Sequence, residues 1–274
     1  MKKILRSSSR LTQRKISLQR SYKFCSFSND KSPFYGEPRP LEDETFPSNN
    51  MSGIDKLLLA ISSAATALKD PTRADAVAVL GEVSGTFSLQ SMYDRMMADP
   101  TGQRILRDKP IVNNKSIYGD QNFDEFIAQC GKGSFGEAYG KFMKQHGFEP
   151  DGRSDVKYIS DPELAYVMLR YRQSHDFWHA LCNLPPTVLG EIALKWVELF
   201  QTGLPVAGLS ASFGPLRLSY AERKILREQY LPWAIRVGKN APFLMNVYYE
   251  ELFCEDLLLL REDLRIEPAP TFEF

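Results

Sequence analysis

This sequence predicts an all-α protein, a multi-helix bundle, on three observations. Beyond Ile54 nearly every stretch repeats its apolar residues at helical spacing. Helix punctuation recurs: Asp70-Pro71 and Asp99-Pro100 each set a capping carboxylate ahead of a proline suited to the first turn. Convincing strands of alternating apolar and polar residues are absent, so the elements must pack helix on helix.

The chain opens with residues 1–28, which are rich in Arg and Ser and lack acids. Ile4, Leu11 and Leu18 lie on one side of a helical wheel, with Lys3, Arg6, Arg10 and Arg14 on the other. That composition predicts a mitochondrial transit peptide, removed after import; a basic tail is the competing reading. Residues 29–50 hold four prolines among Asn, Ser, Asp and Glu and read as a disordered linker, because they bury too little to offset chain entropy. Residues 51–274 then form a single all-α domain. Its first helix, Ile54 to Lys69, is strongly apolar with lysines near both ends, and Asp70-Pro71 ends it and starts the next. A short helix follows over Leu89 to Met97. The segment from Phe123 to His146 is helical but broken at Gly131 and Gly133. Ser160-Asp161-Pro162-Glu163 has capping-box spacing and opens a long helix with Leu164, Val167, Met168, Tyr171, His175 and Cys182 on one face. Pro185 and Pro186 stop that helix near Asn183, and a new one runs from Thr187 to about Gly203. Later helices are expected from about Ser219 to Val237, kinked near Pro232, and from about Met245 to Leu264.

Charge excludes one class of partner. The chain has 34 basic and 34 acidic residues, but eight of the basic ones precede Asp30, which leaves the body with 26 against 34. Such a body is a poor binder of nucleic acid, whose phosphates demand an excess of Lys and Arg. The four cysteines lack CxxC spacing, which argues against a thiolate zinc site and a secreted disulfide framework. No apolar run approaches the ~18 residues needed to cross a bilayer. The Gly131-Lys132-Gly133-Ser134-Phe135-Gly136 stretch matches a nucleotide-binding glycine loop, but the flanking strands and kinase motifs are missing, so the glycines read as a helix break.

The stretch that carries chemistry is Ser174-His175-Asp176-Phe177-Trp178-His179. Two of only three histidines stand at i and i+4, on one helical face, where both imidazoles can reach a single ion. His179 lies a few residues before the proline turn and Glu191 a few residues after it. If the two helices form an antiparallel pair, His179 and Glu191 come level, and the metal site lies on that pair. Zinc fits two imidazoles with carboxylates, and non-haem iron is its rival. Asp176, turned roughly 100° from His175, is placed to ligate, to support a ligand, or to act as acid or base. Phe177, Trp178, Trp196, Phe200 and Phe213 read as core aromatics, and Val247 to Leu260 as a buried helix, a tunnel wall or an oligomer contact.

From His175 through Glu191, and on into Lys195-Trp196 and Gln201-Thr202-Gly203-Leu204-Pro205, the sequence resembles a family of mitochondrial ubiquinone (coenzyme Q) biosynthesis proteins, the fourth of the Coq series. The resemblance covers about residues 50–265, and HDxxH-x11-E is its specific motif. It implies zinc bound by His175, Asp176, His179 and Glu191, and a peripheral protein on the matrix side of the mitochondrial inner membrane. It further implies a role as organiser of a complex of ubiquinone-synthesis enzymes, with self-association left open. The implied reaction removes the ring carboxylate of a 4-hydroxy-3-methoxy-5-polyprenylbenzoate. Loss of carbon dioxide requires protonation of the ring carbon while charge develops on the phenolic oxygen, and Asp176 or Glu191 can move that proton. Coupled hydroxylation of the same carbon would need oxygen chemistry, which zinc cannot supply.

A polyprenyl tail neither dissolves nor diffuses in water, so the implied substrate predicts an apolar tunnel to the metal and a helix lying on the bilayer, with Ile54 to Lys69 a candidate. Two other classes remain: a non-catalytic lipid-binding scaffold with a structural metal, and a zinc hydrolase suggested by the likeness of HDxxH to HExxH.

Overall fold

The structure, a computed structural model, describes residues 84–152 and 156–271 together with Ser62, Val79, Leu80 and Glu82. The expected transit peptide, the linker and, Ser62 apart, the helix from Ile54 to Lys69 lie outside the described residues.

Local chemistry sets most helix ends where the sequence places them. Helices α1 (Thr86–Met97) and α2 (Pro100–Asp108) meet at Asp99, whose carboxylate accepts from the backbone N–H groups of Thr101 and Gly102 ahead of Pro100 in the first turn. Asn113 and Asn122 cap α3 (Asn114–Tyr118) and α4 (Phe123–Cys130) in capping boxes. Gly131 and Gly133, at φ of 85° and 78°, break the chain before Ser134 caps α5 (Phe135–His146). The glycine stretch therefore turns the backbone, as expected. Gly136 is needed for a different reason: a Cβ there would lie 2.3 Å from the Cys130 sulfur and 2.8 Å from the Phe253 carbonyl oxygen.

Helix α6 (Pro162–Cys182) is the axis of the fold. Its cap is Asp161, which accepts from the N–H groups of Glu163 and Leu164, so the box expected from Ser160 sits one residue later. The expected single apolar face understates its burial. Tyr166, Arg170, Ser174, Trp178 and Leu181 are buried alongside Leu164, Val167, Met168 and Tyr171, because α5 and α1 pack on it from different sides. Asn183 ends it in the left-handed conformation at φ 54°. Its last carbonyls are satisfied by Arg261, donating to Leu181 and Ala180, and by the N–H of Ala269, donating to Cys182.

After the prolines, α7 (Val188–Thr202) runs from its Thr187 cap to Gly203 at φ 68°, and it packs chiefly on α8 (Pro205–Phe213) and α10 (Leu231–Asn240). The expected kinked helix beyond Ser219 is α9 (Tyr220–Ile225), a π turn at Leu226–Tyr230, and α10. The widened turn lies immediately ahead of Pro232, which has no N–H to donate.

The expected helix from Met245 to Leu264 is corrected. Only α11 (Leu257–Asp263) is α-helical, preceded by short 3-10 turns at Leu244–Asn246 and Tyr249–Glu251. Tertiary partners override the local period. Glu250 is drawn into an ion pair with Arg170, and Tyr249 accepts from the Trp178 indole at 2.8 Å. The carbonyls of Phe253 and Glu255 accept from the N–H groups of Gly136 and Phe135. Among the described residues no strand forms; one isolated bridge joins Ser134 to Asp256. No described helix is long and apolar enough to cross a membrane.

Candidate metal centre

Histidines 175 and 179 lie one turn apart in the second half of α6, and both are buried. Glu191 enters from the first turn of α7 with its side chain 38% exposed. Its Oε1 lies 3.1 Å from His179 Nε2 and its Oε2 3.4 Å from His175 Nε2. The two Nε2 atoms are 3.2 Å apart, and one ligand atom from each of the three residues falls within 4.8 Å of the others. The two helices are held in this relation without extensive packing on each other, since α7 rests mainly on α8 and α10; the connecting turn sets the geometry.

That turn is tightly specified. The carbonyl of Leu184 meets His179 Nδ1 at 3.0 Å, and a Cβ at Gly190 would lie 2.0 Å from the carbonyl oxygen of Pro185. Gly190 thus allows the proline turn to close onto α7. Phe142 of α5 stacks on the His179 ring, with centroids 5.2 Å apart and planes at 16°, which fixes the plane of that imidazole.

The tautomers follow from the partners. A carbonyl only accepts, so His179 Nδ1 donates to Leu184, and its Nε2 carries a lone pair. On His175, Nδ1 faces Glu198 Oε1 at 2.7 Å, which gives it the same orientation. With both imidazoles neutral, two lone pairs and a carboxylate therefore converge, three acceptors with no donor among them. Such a set needs a cation or extra protons to be stable.

Glu198 is the residue that motif reading misses. It is fully buried, and besides His175 it accepts from Lys195 Nζ at 2.7 Å and from the Tyr171 hydroxyl. Burial disfavours its charge, yet Lys195 and His175 outweigh that and hold its carboxyl down at about 2. Burial and Lys195 likewise oppose a charged His175, but Glu191 and Glu198 prevail and raise its pKa. At Glu191 burial is outweighed by the two histidines, so its carboxyl is held well below the usual carboxylate range. The signal for Glu198 is present in the sequence as a stripe: Tyr171, His175 and His179 recur every four residues on α6, and Glu191, Lys195 and Glu198 share one face of α7.

Asp176 is buried, but it is not one of the three groups that converge. Its charge reaches Tyr118, whose hydroxyl is pushed up first by burial and then by Glu149, Asp176 and Asp151, against the influence of Tyr139. Other residues of the sequence signature have packing roles. Gln201 donates to the carbonyl of Gly238 and accepts from the N–H of Leu244, both at 2.9 Å, and Pro205 starts α8.

Comparison with known proteins places this geometry in a lineage. A family model described as "Coenzyme Q (ubiquinone) biosynthesis protein Coq4" matches residues 47–270. This chain belongs to the Coq4 family. Among Coq4 relatives, the mitochondrial ubiquinone biosynthesis protein of Schizosaccharomyces pombe is 42% identical over 222 residues, covering 80% of this chain and 80% of its own. The homologue of Bos taurus, also named mitochondrial, is 42% identical over 219 residues, covering 80% and 81%. A crystal structure of a putative ubiquinone biosynthesis protein from Nostoc punctiforme superimposes with a TM-score of 0.59 at 22% identity, over 78% of this chain and 98% of that one. That likeness establishes a shared fold.

Proposed function

We propose that this Coq4-family chain is a zinc-dependent carbon–carbon lyase of mitochondrial ubiquinone biosynthesis. In this reading it removes the ring carboxylate of a 4-hydroxy-3-methoxy-5-polyprenylbenzoate and organises other enzymes of the pathway in a complex at the matrix face of the inner membrane. The single observation that carries the reading is the convergence of His175 Nε2, His179 Nε2 and Glu191, all acceptors, with the two Nε2 atoms 3.2 Å apart. The donor set suits zinc, with two imidazoles, a carboxylate and further positions open to a ligand. A bound cation would hold the phenolic oxygen as its phenolate, whose electron density makes the carboxylate-bearing ring carbon basic enough to take a proton.

The chain's own residues do the rest. Glu198 and the Leu184 carbonyl lock both imidazoles in the ligating tautomer. Glu191, 38% exposed, is the one of the three ligating groups open to an incoming substrate. Asp176 and Glu191 are the carboxylates assigned to proton transfer, with Asp176 also a candidate fourth ligand. A proton is added at the ring carbon that bears the carboxylate; the bond to that carboxylate then breaks, its electron pair restores the aromatic ring, and carbon dioxide leaves. An apolar tunnel for the polyprenyl tail belongs to the same proposal.

The test pairs metal analysis of purified mature protein with an assay for loss of ring carboxylate, on wild type and Glu191→Gln. One zinc per chain and turnover in the wild type, both lost in the variant, support the reading. A folded wild type without bound metal, or equal turnover in the variant, overturns it. Retained assembly of the complex by a metal-free His175→Ala chain that has lost turnover separates the lyase from a scaffold with a structural metal.

A further inference from the structure

Among the described residues most large apolar side chains are buried, and several of the exceptions fall along one stretch. Between α8 and α9, Leu209, Phe213, Leu216 and Tyr220 are 38%, 44%, 73% and 82% exposed. They recur at helical spacing, which would ordinarily mark a core-facing stripe, yet here the stripe faces outward. The reason is local. Gly208 and Gly214 bring the backbone of this stretch onto α7, where a Cβ would meet Leu199 at 3.4 Å and Ile192 at 2.7 Å. The small residues take the inner face, so the large apolar ones are left outside.

Charge identifies what covers them. Residues 205–230 carry Arg217, Arg223, Lys224 and Arg227 against Glu222 and Glu228, in a body otherwise dominated by acids. Arg217 and Lys224 are exposed and make no ion pair among the described residues. Exposed Leu and Phe beside unpaired cations, with an exposed Tyr at one end, is the chemistry of a surface that seats apolar groups among acyl chains and places cations at anionic headgroups. The stretch packs on the helix that carries Glu191, because Gly214 lies against Ile192 of α7.

We propose that the stretch 209–227 is the contact of this protein with an anionic lipid bilayer, holding the Glu191 side of the metal centre toward the membrane. The inference deepens the lipid-substrate reading, but its test contains no substrate, so it fails or stands apart from the lyase chemistry. The full chain is floated with vesicles of phosphatidylcholine alone and with vesicles in which about one lipid in four is phosphatidylserine. Wild type should float with the anionic vesicles and lose that binding in high salt. Phe213→Glu with Leu216→Glu, and separately Arg217→Glu with Lys224→Glu, should each weaken the partition about tenfold or more. Leu258→Glu with Leu259→Glu, at the other exposed leucine pair, should leave it unchanged. Circular dichroism establishes folding, and the charge-reversal variant keeps the test decisive if the apolar one misfolds. Undiminished flotation of either folded 209–227 variant overturns the proposal. So does failure of wild type to bind anionic vesicles, or a fall in binding only when residues 51–78 are deleted. A change from dimer to monomer in Phe213→Glu with Leu216→Glu, with flotation intact, would assign the face to a second copy and overturn the bilayer as its occupant.

Discussion

Arg170 and His175 leave the same helix roughly a turn and a half apart, and each is buried against a glutamate from elsewhere in the chain. Their surroundings differ in one respect. Around Arg170 all the partners are protein: its guanidinium meets both oxygens of Glu250 and the carbonyl of Val247, and both side chains are within 4% of full burial. Around His175 the buried side is equally complete, with Glu198 bound by Lys195 and Tyr171, but the other side ends in lone pairs and in the part-exposed Glu191. The first assembly pairs charge with charge inside the protein, though the Arg170 Nε–H is buried without a partner. The second, with its imidazoles neutral, offers three acceptors and no donor at its open end.

The sharpest way to break this contrast is to open the closed pair. Glu250→Ala leaves a buried guanidinium without its counter-charge and should cost about 3–5 kcal/mol in denaturant unfolding, while the folded fraction keeps its metal content. Equal destabilisation of metal binding would show that the two assemblies act as one. Next in size, a chelator should lower the thermal stability of zinc-loaded wild type by an amount worth about 3 kcal/mol when zinc is held at ~100 times its dissociation constant. Glu191→Gln should erase that chelator-sensitive increment. A smaller effect is expected at Glu198→Gln, which frees the imidazole of His175 to turn. Zinc affinity measured by competition with a chromophoric chelator should fall about 10–100-fold, and an unchanged affinity would remove Glu198 from the site.

The subtlest test is pH. The carboxyl of Glu198 is lowered from 4.5 to about 2 in the folded protein. A lowered folded pKa means that the stabilisation is present in full above 4.5 and disappears as pH falls toward 2. Metal-free wild type and Glu198→Gln should therefore converge in stability across that acid window and separate above it. Parallel curves would contradict the charge assigned to Glu198.

How much of this was legible in the sequence depends on the range of the interactions involved. Asp99, Thr187, Gly203 and the Gly131 to Gly133 break mark helix ends through contacts within a few residues, and the structure has them where punctuation places them. The approach of Glu191 to His179 was readable because only a short proline turn separates them. The C-terminal segment was not, because Tyr249, Glu250 and Phe253 give up a helical period for partners on α5 and α6 far away in sequence. Asp176 stands beside His175 in the chain, yet the group that converges among the described residues is His175, His179 and Glu191.

By itself, then, the sequence determined the helical class, the positions of most caps and breaks, and the pairing of His175 and His179 on one face, all consequences of backbone geometry acting over one or two turns. Tertiary structure alone decided that Glu198, Lys195 and Tyr171 would stand behind His175, that Arg170 would be closed off by Glu250, and that Phe213 and Leu216 would face outward. Those outcomes depend on which faces of separate helices meet, and a glycine that lets two backbones touch settles that as firmly as any apolar side chain.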